Sequence, residues 1–514
     1  MEWDELSDSE VDDQIEEISN EFFFGKDEKA WEKWSYRHPR KKDKPIFINH
    51  PVLGTIRVEF DERLLLNSKP LQRIKYISQM GMGHMTYPGA SHSRFVHSIG
   101  VMDIATTMAN RVQTEMSIDE KYLKKIVRYT ALLHDIAHGP YSHLSEYLYT
   151  FQTKLWVASA HEKLAAKLLN TEAGKKFLEK VGIDEELFQK IPLTIQGDYE
   201  PKDKPELILG AHIINGDMDA DKLEYISTDS HFAGLNLPTD LNRLLTQIKY
   251  KETEKSDFDL FVDEKGARSF HIILRAKELL YPTVYHHHTT CGFEGLMLCG
   301  VLSAIQDDFK KGNAEFNTTL DLLKFNDWEL LNKLKTSDSP IANDSYKRIY
   351  NRYHYRVAYD FRPWFFVRKD DKVLNRKFDE LVWEKFVPTR EVKIEIQKRP
   401  FKGQSLFHKK EIIKKTGINI KKKFPTLSRE KVSEDDLIDY AIYINYPIPM
   451  ETKPYKESRV LVNIAEKERT FSLVELGYPC PQDMALHTFR IMTLPEIRSE
   501  VTKVLSDEYN KLYT

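Results

Sequence analysis

The sequence predicts a mainly α protein, a helical core followed by a smaller lobe that mixes helix and strand. Three observations predict it. Apolar residues recur at three- and four-residue spacing in Leu71–Met80, Val96–Val112, Tyr122–His138 and His161–Asn170. Before residue 313, strand-like stretches are confined to Ile56–Phe60 and Asp259–Val262, whereas alternation returns at Leu437–Tyr446 and Arg459–Ile464. Finally, 514 residues with 41% apolar content suffice to bury a large core.

Taken in order, residues 1–43 form an acidic arm and a basic linker. The first 32 residues hold thirteen acidic residues against Lys26 and Lys29, which predicts a mobile or loosely helical arm with Phe22–Phe24 as the part able to dock. The stretch from Lys33 to Lys44 turns basic and reads as a surface linker. Residues 44–313 form the helical core, where His138-Gly139-Pro140 is expected to end a helix. Residues 314–514 form the second lobe. It includes the Tyr-, Phe- and Arg-rich stretch Arg348–Arg368, the stretch Glu391–Phe424 with eleven Lys/Arg against three Glu, and a closing helix over Leu494–Leu512.

Composition excludes several classes. Lys and Arg number 76 against 79 Asp and Glu, so the chain is not a uniformly basic nucleic-acid coat. The longest mostly apolar run, Gly295–Ile305, is too short to cross a bilayer. The acidic amino terminus lacks an export pattern, and a cytoplasmic protein without a membrane partner is expected. Cys291, Cys299 and Cys480 form no C-x-x-C pair, which excludes a disulfide scaffold and a cysteine zinc site. No phosphate-cradling glycine loop occurs; Gly81-Met82-Gly83 comes nearest and lacks the third glycine.

Four polar residues interrupt apolar, helical surroundings: His97, the pair His134-Asp135, and Asp221. A charged Asp within Leu-Leu-His-Asp-Ile-Ala is costly unless paired or metal-bound. A lone His is usually an ordinary satisfied residue, but His, His-Asp and Asp on three separate helices make an N2O2 ligand set. Such a set suits Mn, Fe, Zn or Ni better than Mg alone, and four ligands on an octahedral ion leave positions for water and substrate.

These four residues resemble the defining ligands of the HD-domain phosphohydrolases. The flanking text resembles one branch, the deoxynucleoside triphosphate triphosphohydrolases. The resemblance rests on Leu71–Gly81, Tyr87–Ser98, His134–His143 (HDIAHGPYSH), Asp219–Tyr225 (DADKLEY) and, more loosely, Tyr285-His286-His287. It covers residues 44 to 310 well and continues faintly through Tyr353–Tyr359 and Asp435–Tyr446. It implies an all-helical HD-domain core and hydrolysis of a dNTP to deoxynucleoside and triphosphate, with Mg accompanying the triphosphate. His97, His134, Asp135 and Asp221 would hold the transition metal, whose activated water attacks the α-phosphorus.

By the same resemblance, His143 is the general acid, Glu146 stands where the family orients that His with Asp, and His161 contacts the α-phosphate. His138 lies near the phosphates. Arg94, Lys222, Tyr225 and Lys277, the last in place of Arg, contact the triphosphate. Gln79 and Asp229 hold the 3′ hydroxyl, Tyr285 packs under the sugar, and Met80 replaces a Leu beside it. Asn49, Arg243, Lys265 and His287 match positions where a nucleotide activator binds between subunits of a dimer or tetramer. Asn67, Lys75 and Ile46 depart from that activator pattern, so guanine-specific activation is expected to be weak or absent. The implied purposes are depletion of the dNTP pool or antiviral defence.

Two rivals stand beside this reading. One is an HD phosphohydrolase acting on a ribonucleotide, an alarmone or a cyclic nucleotide. The other is a single-stranded nucleic-acid binder with weak catalysis, motivated by the basic and aromatic residues of Lys393–Phe424. The run His286–His288 reads as polar surface apart from His287, Cys291 and Cys299 as packing thiols, and Trp364 as core or interface.

Overall fold

The computed structural model describes residues 6–26, 44–111, 118–155, 159–200, 203–237, 239–252, 258–313, 315–361, 406–445, 459–464, 467–479 and 489–509. The basic linker, Lys393–Ser405, Trp364 and Cys480 lie outside the described residues.

The acidic arm is an ordered amphipathic helix, α1 (Asp8–Phe24). Ser7 and Glu10 close a capping box at its start. Val11, Ile15, Ile18 and Phe22 recur at three- and four-residue spacing and are buried, along with Phe23 and Phe24. Phe23 stacks on Phe177 at 4.7 Å, and the Arg73 guanidinium lies over Phe22 at 5.3 Å. The density of acids masks this apolar stripe in the sequence.

A hairpin of β1 (Ile46–His50) and β2 (Gly54–Val58) leads into the helical core. That core is built on α2 (Arg94–Ala109), α3 (Glu120–Leu133), α4 (His143–Gln152), α5 (Ala160–Asn170), α6 (Glu172–Lys180), α7 (Pro205–Asn215) and α8 (Ala220–Phe232). Helix α2 packs between α3 and α8, and α3 also packs on α7. Two expected helices are shorter than their periodicity suggests. Leu71–Met80 contains only the short helix Lys69–Arg73 and the 3₁₀ turn Ile74–Tyr76. Beyond it the Ser78–Gly81 backbone turns to bond other segments, and Gly81 adopts φ +53°. Tyr122–His138 stops at Leu133, five residues before His138-Gly139-Pro140. Ile136 and His138 donate to carbonyls only three residues back, giving tight turns that present His134 and Asp135 sideways.

Strands β3 (Ile248–Glu252) and β4 (Phe258–Asp263) precede α9 (Ala267–Leu280), the long α10 (His288–Lys311), α11 (Asp327–Thr336) and α12 (Pro340–Tyr350). Further along the chain come β5 (Arg356–Phe361), α13 (Leu406–Thr416), α14 (Glu434–Ala441), β6 (Ile442–Asn445), β7 (Val460–Ile464), β8 (Lys467–Phe471), β9 (Phe489–Thr493) and α15 (Arg498–Tyr509). One sheet runs β3-β4-β7-β8, with β4 and β7 parallel; the other is the antiparallel β5-β9-β6. Of Leu437–Tyr446, expected as strand, Ile442–Asn445 is strand β6 and the part before it belongs to α14. Ser433 caps its start and Glu434, Asp435 and Asp436 fill its first turn, a helix-start signature that outweighs the alternation. One continuous core of buried residues extends from Val11 to Leu505. No helix among the described residues is long and apolar enough to cross a membrane.

Candidate metal centre

Helix α2 brings His97 into the core, the turn after α3 brings His134 and Asp135, and the first turn of α8 brings Asp221. His97 Nε2 lies 2.9 Å from Asp221 Oδ1 and 3.5 Å from Asp135 Oδ2, and His134 Nε2 lies 3.3 Å from Asp135 Oδ1. Ligand atoms of His97, His134 and Asp221 all fall within 4.8 Å of one another.

Hydrogen bonds on the far side of each ring set the tautomers. His134 Nδ1 donates to the Ala131 carbonyl at 2.8 Å, and His97 Nδ1 donates to the Glu224 carboxylate. Both Nε2 atoms therefore face the cluster, buried beside carboxylate oxygens without a well-aligned hydrogen bond. Orphaned imidazole nitrogens beside two carboxylates fit a borderline divalent cation.

The electrostatics agree. Burial would depress the His97 imidazole, yet Glu224 and Asp221 raise it well above its usual value. Burial would raise Asp135, yet Arg94, His134 and His138 hold it well below the carboxylate range. Burial lowers His134 and keeps it neutral, as a ligand must be. A proton on His97 balances the surrounding carboxylates, and a divalent cation would take its place.

A second cluster adjoins the first through Asp135, whose Oδ1 lies 3.3 Å from His138 Nε2 and 3.9 Å from His161 Nε2. Glu146 Oε1 accepts from both His143 Nδ1 and His161 Nδ1 at 2.8 Å, and His138 stacks on His161 at 4.0 Å. The longer Glu side chain thus reaches the His143 ring that the family orients with Asp. Burial alone would lower His161, but Glu146 overrides it and the imidazole sits at about 9. His143 exposes 62% of its side chain, whereas Glu146 is fully buried. Potential ligand atoms of His138, His143, Glu146 and His161 also lie within 4.8 Å of one another.

Around these clusters, Arg94 donates through Nη1 to Asp135 and through Nε to the Ser142 hydroxyl, both at 2.8 Å. Its Nη2 is buried without a hydrogen bond. Lys222 is engaged by the Asp219 carboxylate and by the Gly216 carbonyl at 2.8 Å. Asp229 accepts from Tyr285 Oη at 2.5 Å and pairs with His92 at 2.8 Å. Gln79 is buried with its Oε1 unpaired, and its backbone N–H bonds the His92 carbonyl. Met80 is buried, Tyr225 is half-buried, and the Lys277 ammonium lies 5.8 Å from the Tyr281 ring centre.

The activator positions lie on separate elements. Arg243 Nη2 reaches the Lys265 carbonyl at 3.4 Å, Asn49 accepts from Thr55 across the hairpin, and His287 caps α10. The basic stretch is largely paired within the described residues. Lys409 is buried against Asp439, Lys410 meets Asp435, and Lys423 meets Glu500.

Sequence reasoning misses Glu224, His50, His92 and Asp327. Glu224 is held at about 2 against burial by His97 and His50, with His50 Nε2 at 3.3 Å. Its position three residues after Asp221 on α8 is the signal that could have found it. His92 lies within the stretch Tyr87–Ser98, five residues before His97, whereas His50 and Asp327 arrive from distant segments.

A family profile described as the HD domain matches residues 94–225, and one described as the HD-associated region matches residues 239–401. The chain is 28% identical over 322 residues to the deoxynucleoside triphosphate triphosphohydrolase SAMHD1 homolog of Dictyostelium discoideum, covering 61% of this chain and 59% of that one. It is 26% identical over 262 residues to the human deoxynucleoside triphosphate triphosphohydrolase SAMHD1, covering 47% and 41% respectively. It therefore spans about half the length of these relatives. An uncharacterized protein of Methanocaldococcus jannaschii is 27% identical over 66% of this chain and 68% of its own. The crystal structure of a hypothetical protein from Aquifex aeolicus shares the fold, with a TM-score of 0.60 at 18% identity over 90% of this chain and all of that one. His97 on α2, His134 and Asp135 in the turn after α3, and Asp221 on α8 all lie within the matched stretch, so the chain carries the HD domain of metal-dependent hydrolases followed by an HD-associated region.

Proposed function

We propose that the protein hydrolyses dNTPs to deoxynucleoside and triphosphate. The observation that carries this reading is the closure of three functions around Asp135. The metal ligands, the His143–Glu146–His161 relay and the phosphate-side Arg94 all meet at that carboxylate or one contact from it.

When bound, a divalent ion at His97, His134, Asp135 and Asp221 supplies Lewis acidity that polarises a phosphoryl oxygen and makes water nucleophilic at neutral pH. His143, solvent-facing and anchored by Glu146, is placed to protonate the leaving 5′ oxygen through Nε2. His161, carrying a proton near neutrality, presents positive charge to the α-phosphate. Arg94, Lys222, Tyr225, His138 and Lys277 form the triphosphate side, with Mg riding on its oxygens. Gln79, Met80, Asp229 and Tyr285 form the sugar side; the Tyr285–Asp229 bond fixes a rigid aromatic floor against which a 2′ hydroxyl would clash. Assembly into a dimer or tetramer with a nucleotide activator at Asn49, Arg243, Lys265 and His287 belongs to the same proposal.

The test is incubation of purified protein with each dNTP and NTP and with Mn, Fe, Mg or Zn, reading products by mass. Triphosphate release from dNTPs is expected; release of pyrophosphate or monophosphate overturns the reading. Asp135→Asn should abolish turnover, and retained activity would remove this centre from the chemistry.

A further inference from the structure

Two consecutive non-glycine residues directly before His143, Tyr141 and Ser142, both adopt φ +58°. Side chains disfavour that conformation, so the surrounding structure must impose it. Ser142 is also the N-cap of α4, yet its hydroxyl makes no capping bond. It donates to the Ser78 carbonyl at 2.5 Å and accepts from Arg94. The direction in which α4 presents His143 is therefore set by whatever holds this turn.

The turn is held from outside the HD domain. Asp327, the first residue of α11, is buried, and its Oδ1 accepts the Tyr141 N–H at 2.7 Å. Its Oδ2 accepts both the N–H and the hydroxyl of Ser78, at 2.9 and 2.6 Å. Ser78 immediately precedes Gln79, and the Tyr141 carbonyl comes so close to Gly81 that an added Cβ would meet it at 3.0 Å. Two residues earlier, the Phe325 carbonyl accepts from Arg73 at 2.8 Å. The same guanidinium donates to the Ile136 and His138 carbonyls at 2.7 Å each. Burial pushes the Asp327 carboxyl up to about 6 despite these donors, so the contact is kept at a desolvation cost.

We infer that Asp327 is a positioning residue for catalysis, a clamp by which the HD-associated region locks the strained Tyr141–Ser142 turn and thereby aims His143 at the leaving group. Through Ser78 the same carboxylate fixes the segment carrying Gln79. The inference deepens the dNTPase reading and rests on it for the roles of His143 and Gln79.

The test compares wild type with Asp327→Asn and Asp327→Ala. Asp321→Asn serves as a control that removes another buried carboxylate, the one capping the neighbouring 3₁₀ turn. With dNTP, kcat of Asp327→Asn should fall about a hundredfold, as expected when a proton donor is misplaced by an ångström, while bound metal is unchanged. Hydrolysis of bis(p-nitrophenyl) phosphate, whose leaving group departs without a proton, should be largely spared. The Asp321→Asn control should keep its kcat. A dNTP kcat equal to wild type in both Asp327 variants, or an equal loss on both substrates, overturns the inference. Should wild type release no triphosphate, the substrate reading falls. The clamp is then decided by the crystal structure of Asp327→Ala: a relaxed Tyr141 φ supports it, and an unchanged positive φ overturns it.

Discussion

At the scale of single residues, carboxylates behind the imidazoles do as much as the ligands themselves. Glu224 lies behind His97, fixes its tautomer and is fixed in turn by His50 and Thr228. Glu224→Gln should keep the fold but weaken metal affinity about ten- to a hundredfold, the usual effect of removing such a partner. Competition titration with a chromogenic chelator checks this, and wild-type affinity would refute it. Glu146 plays the same part for His143 and His161. Its low carboxyl contributes stability above its ordinary 4.5, lost as pH falls. The raised His161 contributes stability below its ordinary 6.5, lost as pH rises through about 9. The pair therefore stabilises most between those two ordinary values. In metal-free protein, Glu146→Gln should bring the His161 titration down from about 9, toward or below 6.5, read from its ring-proton shift. A titration still near 9 would show that another group holds the proton.

At the scale of elements, legibility in the sequence follows how local the cause is. His97, His134-Asp135 and Asp221 are legible because each breaks an apolar helical pattern within a few residues of itself. The helical core is legible for the same reason. Helix α1 is not, because its acids dominate composition while its stripe of Val11, Ile15, Ile18 and Phe22 is thin. Asp327 is not, because Asn326-Asp327 reads locally as an ordinary helix start and its partners lie about two hundred residues away. Helix α1 is nonetheless structural: Phe23→Ala should remove about 3–5 kcal/mol of packing. Hydrogen exchange of α1 amides should accelerate at least about a hundredfold; unchanged protection would mean the helix is held by something other than Phe23.

At the scale of the whole molecule, the metal centre sits where α2, α8 and the turn after α3 converge, so occupancy and folding are linked. An ion that binds only the folded chain stabilises it by mass action. Chelation should lower Tm, added Mn or Zn should restore it, and Asp135→Asn should erase that increment while retaining a cooperative transition. A metal-independent wild-type Tm would place the ligands in a site too weak to matter for folding. Helix α1 carries a further consequence, for biosynthesis. It leaves the ribosome before the segments it packs on, α6 and the 3₁₀ turn Thr319–Lys324. At roughly 5–20 residues per second, about 300 more residues take some 15–60 s to emerge. For that interval Phe22, Phe23 and Phe24 have no finished surface to cover them. The nascent chain should therefore be a chaperone client over that interval, with the acidic residues of α1 opposing aggregation of the waiting segment by charge repulsion.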